Sequence, residues 1–226
     1  LGAEVIVIAD ILTEAELTYA RGTLANADWR DGATTAGGLA RTVKRNEQAD
    51  LTSRAGQSLH ALLTRRIFEH TVFQAFCRPR RMTRLLVSKT VTGGGYGDHI
   101  DNALMGPLED RLRVDIAFTL FLSAPDSYEG GALSIDTPLG RQSVRLNAGT
   151  MVAYAARSIH KVDTVTAAER LVCVGWAESL IRHSEQRDIL WDLERLRTEL
   201  VAKQASADAL LTLDRAFANL LRQWVD

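Results

Sequence analysis

The sequence predicts an α+β protein with a mainly β core, a jelly roll carrying N-terminal helices and a C-terminal helical hairpin. Three observations lead there. Residues 85–176 form a series of short apolar runs separated by glycine- and proline-bearing turns, as in antiparallel sandwiches and barrels. Within that series 113–122 alternates strictly. Val114, Ile116, Phe118, Leu120 and Leu122 fall on one face; Arg113, Asp115, Ala117, Thr119 and Phe121 fall on the other. On both sides of the series the apolar period becomes helical. The 226 residues therefore divide into a helical and mixed region at 1-82, a β core at 83-182 and a helical extension at 183-226.

Taken in order, Thr13-Glu14-Ala15-Glu16 has the form of a capping box, and Leu17, Ala20 and Leu24 continue it as a helix over 13–25. The turn-rich stretch 31–38 reads as a loop or hairpin, and 44–48 as a polar connection. A helical region follows over 56–76, its buried face marked by Leu59, Leu62, Leu63, Ile67 and Phe73. His60 and His70 lie in it without ligand-type neighbours and read as structural or surface residues. Pro79 ends the helix, and strands begin at 85–91. Gly93, Gly94 and Gly95 then allow the backbone to turn close beside a metal or ligand. No Lys-Ser/Thr pair follows, which excludes a phosphate-binding loop. Residues 102–109 form a loop placed to overhang whatever lies there. Further strands are expected at 132–135, 142–146, 150–154, 160–165 and 170–176. Ser184 is expected to cap a helix with Ile189, Leu193, Leu196 and Leu200 on one face. Ser206 would cap another, carrying Leu210, Leu213, Phe217, Leu220 and Trp224. Such stripes pack on the core, on each other, or across a homo-oligomer contact.

The composition excludes several classes. Hydrophobic residues make up 46% and charged residues 24%, the balance of a soluble globular chain. A net charge of -1 gives no broad footprint for nucleic acid or an anionic membrane, and no apolar run approaches a membrane span. Arg78, Arg80, Arg81 and Arg84 read as a solvated face. Residues 1–11 lack the basic and long apolar regions of a signal peptide. Cys77 and Cys173 are far apart and form no metal or redox motif, so a reducing cytoplasm is the expected compartment.

The chemistry centres on Tyr96-Gly97-Asp98-His99-Ile100-Asp101. In a strand, His99 and Asp101 point to the same side. His160, from another strand, would complete two nitrogens and one oxygen around a metal, the set that suits non-haem iron(II) and leaves positions open. Arg170 opens a strand whose inward face would also hold Val172, Val174 and Trp176. A guanidinium among valines needs an anionic partner, either a dicarboxylate ligand held bidentately or an internal carboxylate such as Asp115. Two other classes fit the same residues: a zinc- or manganese-dependent hydrolase on these ligands, and a non-catalytic jelly-roll binding module.

Several motifs together resemble the iron(II)/2-oxoglutarate-dependent dioxygenases, and more closely the bacterial PKHD-type hydroxylases related to prolyl 4-hydroxylase. They are the metal motif, Arg113-Val114-Asp115 running into Thr119-Leu120-Phe121-Leu122-Ser123, and Asp126-Ser127-Tyr128-Glu129-Gly130-Gly131. Ala148-Gly149, Ser158-Ile159-His160, Arg170, Trp176 and Ser179-Leu180-Ile181-Arg182 continue the likeness across nearly the whole chain. The resemblance implies a double-stranded β-helix core with iron(II) on His99, Asp101 and His160. It implies Arg170 on the distal carboxylate of 2-oxoglutarate. Thr119, on the same strand face as Arg113 and Asp115, is a candidate for a supporting contact. The implied reaction hydroxylates a small-molecule or peptidyl substrate, an amino-acid-like or siderophore-related compound, while 2-oxoglutarate becomes succinate and CO2. Ascorbate (vitamin C) is the implied reductant. The chain departs from such relatives at Thr90, near which they carry a tyrosine that contacts the co-substrate, and at Thr164, where they often carry proline.

Overall fold

The computed structural model describes residues 4–35 and 38–225. Two antiparallel sheets lie face to face, and helices cover the outer face of the larger one. In spatial order the larger sheet runs Val5–Ile8, Met151–Ala155, Ile116–Phe121, Glu169–Ser179, Leu86–Val91, Glu47–Ala49 and Trp29–Asp31. Pro79–Met82 pairs with the far end of its long central strand, Glu169–Ser179. The smaller sheet runs Gly140–Val144, Leu133–Thr137, His160–Val162, Gly95–His99 and Lys44–Arg45. From Leu86 onward the chain crosses repeatedly between the sheets, which is the winding of a jelly roll. The expected fold class is the observed one.

The alternation at 113–122 divides two cores. Ile116, Phe118 and Leu120 join the cluster under the helices, while Ala117 and Phe121 join the cluster between the sheets. Since both faces are covered, every residue of Ile116–Phe121 is buried.

Helix α1 (Glu14–Ala25) starts with the expected capping box. Thr13 Oγ1 accepts from the Glu16 N–H at 3.3 Å, and Glu16 Oε2 accepts from the Thr13 N–H at 2.9 Å. The region expected as one helix over 56–76 is two, α2 (Arg54–Phe68) and α3 (Thr71–Cys77). His70 breaks them by taking an extended conformation as the N-cap of α3. Leu59, Leu63, Ile67 and Phe73 are fully buried, and Leu62 only half. His60 is structural: its Nε2 accepts from the Leu85 N–H at 3.2 Å.

The stretch 44–48 is not a connection. Lys44–Arg45 pairs with Gly95–Tyr96 in the smaller sheet, and Glu47–Gln48 pairs with Ser88–Lys89 in the larger. These strands are polar because they pair through backbone groups near sheet edges, helped by a Glu47–Lys89 ion pair at 2.9 Å. The neighbouring stretch 31–38 begins as the end of a strand and continues as a 3-10 turn over Gly32–Thr35; residues 36–37 lie outside the described ones.

Helices α4 (Ser184–Ala202) and α5 (Ala207–Trp224) form the C-terminal hairpin, joined by Arg197 and Asp214 at 2.7 Å. Ser206 caps α5 as expected, accepting from the Ala209 N–H at 3.3 Å. Ser184 does not cap α4. His183 holds that position, and Ser184 Oγ instead accepts from Arg157. The expected stripe on α4 is also rotated. Arg187 is buried because its Nη1 donates to the carbonyls of Ile181 and Arg182, at 2.8 and 3.0 Å. Leu190 is buried on the same side, leaving Ile189 47% and Leu196 43% exposed. Among the described residues, no helix is long and apolar enough to cross a membrane.

Candidate active site

Two histidines reach one space from neighbouring strands of the smaller sheet. His99 ends one strand, His160 opens the next, and the two are direct cross-strand partners. Such partners share a face, and here the ring centroids lie 4.2 Å apart. Asp101 follows after the strand has ended, yet its Oδ2 lies 3.7 Å from His160 Nε2. Ligand atoms of all three residues fall within 4.8 Å of one another, close enough to share one metal ion. Each imidazole is oriented from behind: Nδ1 of His99 donates to Gly97 O at 2.8 Å, and Nδ1 of His160 donates to Ser158 O at 3.0 Å. That fixes the tautomer and leaves both Nε2 atoms as acceptors toward the shared space. Tyr96 stacks on His99 at 3.5 Å, and Tyr154 meets His160 edge-on at 5.1 Å.

Burial, then the nearby His160, pushes His99 down to about 4, so its imidazole is neutral at physiological pH. Burial raises Asp101 against the pull of His160. Asp101 Oδ2 is buried and accepts no hydrogen bond within normal geometry, although the Trp176 indole N–H lies close by. A pH dependence follows for the metal-free protein. Unfolded, His99 protonates near its usual 6.5; folded, only near 4. Between these values the unfolded state binds more protons, so stability falls as pH drops through that window, while above it His99 has no effect. Thermal unfolding of His99→Gln should therefore show a shallower fall in Tm from pH 6.5 to 4; a slope equal to the wild type would refute this.

The larger sheet supplies the opposite wall. Arg170, Val172, Val174 and Trp176 all face the cavity, as their parity in Glu169–Ser179 requires. Arg170 is 2% exposed, and its Nε and Nη2 are buried without a hydrogen-bond partner. Burial lowers its pKa, and the Phe121 ring lies 5.3 Å from its Cζ. Asp115 is not its partner. That carboxylate accepts from Arg113 Nε at 2.9 and 3.0 Å and from the Ser179 N–H at 2.8 Å. Thr119 is buried on the same wall beside the Tyr154 phenol, whose pKa burial pushes well up.

Between the walls lies a cavity of about 640 Å³. Leu104, Met105, Gly106 and Pro107 line its mouth, so 102–109 overhangs it, although Leu104–Met105 is not loop but a short strand paired with Leu112–Arg113. Lys44 also lines it, held down to about 8 by burial. Thr90 is buried in its wall, directly across from Arg170 in the strand register. Neither Lys44 nor Tyr154 carries an expected role. Tyr154 could have been found, since it lies in the strand Met151–Ala155 opposite Ala117, on the inward face of its neighbour. Lys44 carried no signal once its stretch was read as a connection.

Residues 85–178 match the 2OG-Fe(II) oxygenase superfamily. The chain is 44% identical over 222 residues to a PKHD-type hydroxylase of Hyphomonas neptunium, covering 98% of this chain and 99% of that protein. It is 42% identical over 222 residues to one of Crocosphaera subtropica, covering 98% and 100%. A prolyl-4-hydroxylase structure from Pseudomonas putida superposes with a TM-score of 0.52 at 18% identity, over 78% of this chain and 92% of that one, a likeness of fold. By its full-length likeness to these relatives, the chain is an enzyme and belongs to the PKHD-type hydroxylases of the 2OG-Fe(II) oxygenase superfamily, whose cofactors are iron(II) and 2-oxoglutarate.

Proposed function

We propose that His99, Asp101 and His160 hold iron(II), that Arg170 binds the distal carboxylate of 2-oxoglutarate, and that the enzyme hydroxylates a small-molecule or peptidyl substrate. The observation carrying this is a pair of unmet needs on facing walls. Asp101 Oδ2 is a buried acceptor without a donor, and Arg170 Nε and Nη2 are buried donors without an acceptor. Unpartnered buried charge is costly, and a cation at one wall with a dicarboxylate at the other answers both needs. The donor set, two imidazole nitrogens and a carboxylate oxygen, fits iron(II).

When bound, iron(II) and 2-oxoglutarate would supply the oxidising chemistry with O2 as oxidant, one oxygen atom entering succinate as 2-oxoglutarate loses CO2 and the other entering a substrate C–H bond as its hydroxyl. The protein supplies position and exclusion. The backbone carbonyls of Gly97 and Ser158 keep each imidazole turned inward. Arg170, stiffened by its strand, sets the direction of the co-substrate, with Thr119 as a supporting contact on the same wall. Val172, Val174 and Leu133 keep the space around them apolar. Ascorbate is the reductant we assign. The loop 102–109 is the part of the mouth that selects the substrate, whether amino-acid-like, peptidyl or siderophore-related. Cys77 and Cys173 are buried free thiols, which suits a cytoplasmic enzyme.

The test is a visible spectrum recorded without oxygen after adding iron(II) and 2-oxoglutarate to the metal-free protein. A weak metal-to-ligand charge-transfer band is expected, followed by succinate release on admitting air with substrate. Absence of the band in protein shown by metal analysis to be fully iron-loaded would overturn the reading.

A further inference from the structure

The turn Pro125–Gly131 sends one side chain inward. Arg145 holds this turn from outside: its Nη2 donates to the carbonyls of Pro125 and Tyr128, and its Cζ lies 4.7 Å from the Tyr128 ring centre. Gly130 and Gly131 follow with φ of 70° and 62°, left-handed conformations that glycine adopts without strain. They fold the chain back so that Tyr128 is buried, 3% exposed. A Cβ on Gly131 would stand 3.0 Å from Arg170 Cδ and 3.2 Å from Tyr128 Cε2. The tyrosine ring and the arginine stem thus converge on one bare Cα.

The phenol lies beside the guanidinium, yet Tyr128 Oη is buried without a hydrogen-bond partner. Arginine cannot satisfy it fully. A guanidinium offers only donors, so the phenol oxygen can accept from it while the phenol proton still lacks an acceptor. Tyr128 Oη–H, Arg170 Nε and Arg170 Nη2 are therefore three buried donors in one place, short of an acceptor. If packing alone were required, phenylalanine would fill the same space without leaving a polar group unmet.

We propose that Tyr128 is a second anchor for 2-oxoglutarate, its phenol donating a hydrogen bond to the distal carboxylate that Arg170 neutralises. This rests on the role assigned to Arg170 above.

The test is calorimetric titration of Mn(II)-loaded protein, a redox-inert form, with 2-oxoglutarate and with 2-oxopentanoate, which lacks the distal carboxylate. Tyr128→Phe should raise the Kd for 2-oxoglutarate about tenfold or more, as for a hydrogen bond to a charged group. It should leave the Kd for 2-oxopentanoate and the Tm near wild type. Equal weakening toward both ligands would mean a structural role and overturn the proposal. So would an unchanged Kd for 2-oxoglutarate in Tyr128→Phe when Arg170→Gln weakens it. If neither variant weakens 2-oxoglutarate binding, the role of Arg170 falls too.

Discussion

His160→Ala is expected to abolish metal-dependent succinate release while the protein remains folded. His160 offers one of the three candidate ligand atoms that lie within 4.8 Å of one another, and no other histidine lines the cavity besides His99 among the described residues. Substitutions that merely disorient a ligand cost about ten- to a hundredfold in metal affinity, and removing the ligand itself should cost more. The strand does not depend on the imidazole, because His160–Val162 is held by backbone pairing to Leu133–Ile135 on one side and to the Tyr96–His99 strand on the other. Iron content by metal analysis, succinate release and Tm should be measured together. Iron retention at wild-type stoichiometry with normal turnover would remove His160 from the metal site.

Arg170→Met should move stability and function in opposite directions. The guanidinium is buried with two unpaired nitrogens, and the nearby Tyr128 phenol and Phe121 ring offset only part of its desolvation. Methionine has similar reach and no charge. Replacing buried ionic groups by well-packed apolar ones is often stabilising by about 1–4 kcal/mol. At roughly 2–4 °C per kcal/mol for a chain of this size, the ligand-free Tm should rise by several degrees. The same change should weaken 2-oxoglutarate binding by about a hundredfold or more if Arg170 holds its distal carboxylate as proposed, because that buried cation is lost. A lower Tm with unchanged co-substrate affinity would show that Arg170 serves the fold instead of the ligand.

Much of this architecture was legible where side-chain pattern and structure share a cause. The alternation at 113–122 is written by burial, and burial on both faces made it easy to read. The Thr13–Glu16 capping box and the Ser206 cap are local hydrogen-bond chemistry, visible within four residues. His99, Asp101 and His160 come together as expected, but strand parity is not what places Asp101: the strand ends at His99, and Asp101 reaches the shared space from just beyond it. What escaped had no local cause. Lys44–Gln48 bridges both sheets through backbone pairing, which leaves no apolar trace. The rotation of α4 is set by Arg187 reaching the carbonyls of Ile181 and Arg182, an arginine acting as core. Tyr128 lies in a turn, where no periodicity marks a residue as inward-facing, and its neighbour Arg170 comes close only through the tertiary fold.

The cluster under the helices has a further consequence. It joins α1, α2 and α3 to the outer face of the larger sheet, while the inner cluster is smaller and stands beside open space. Cohesion is therefore concentrated behind the catalytic chamber and not within it. Residues at the chamber's rim, such as Ile100 at 56% and Leu104 at 54% exposed, can change with little loss of folding free energy. A scaffold with that division of labour is free to drift in what it recognises while its chemistry stays in place. New specificities can accumulate at the front by single substitutions, each tested by selection on the substrate alone.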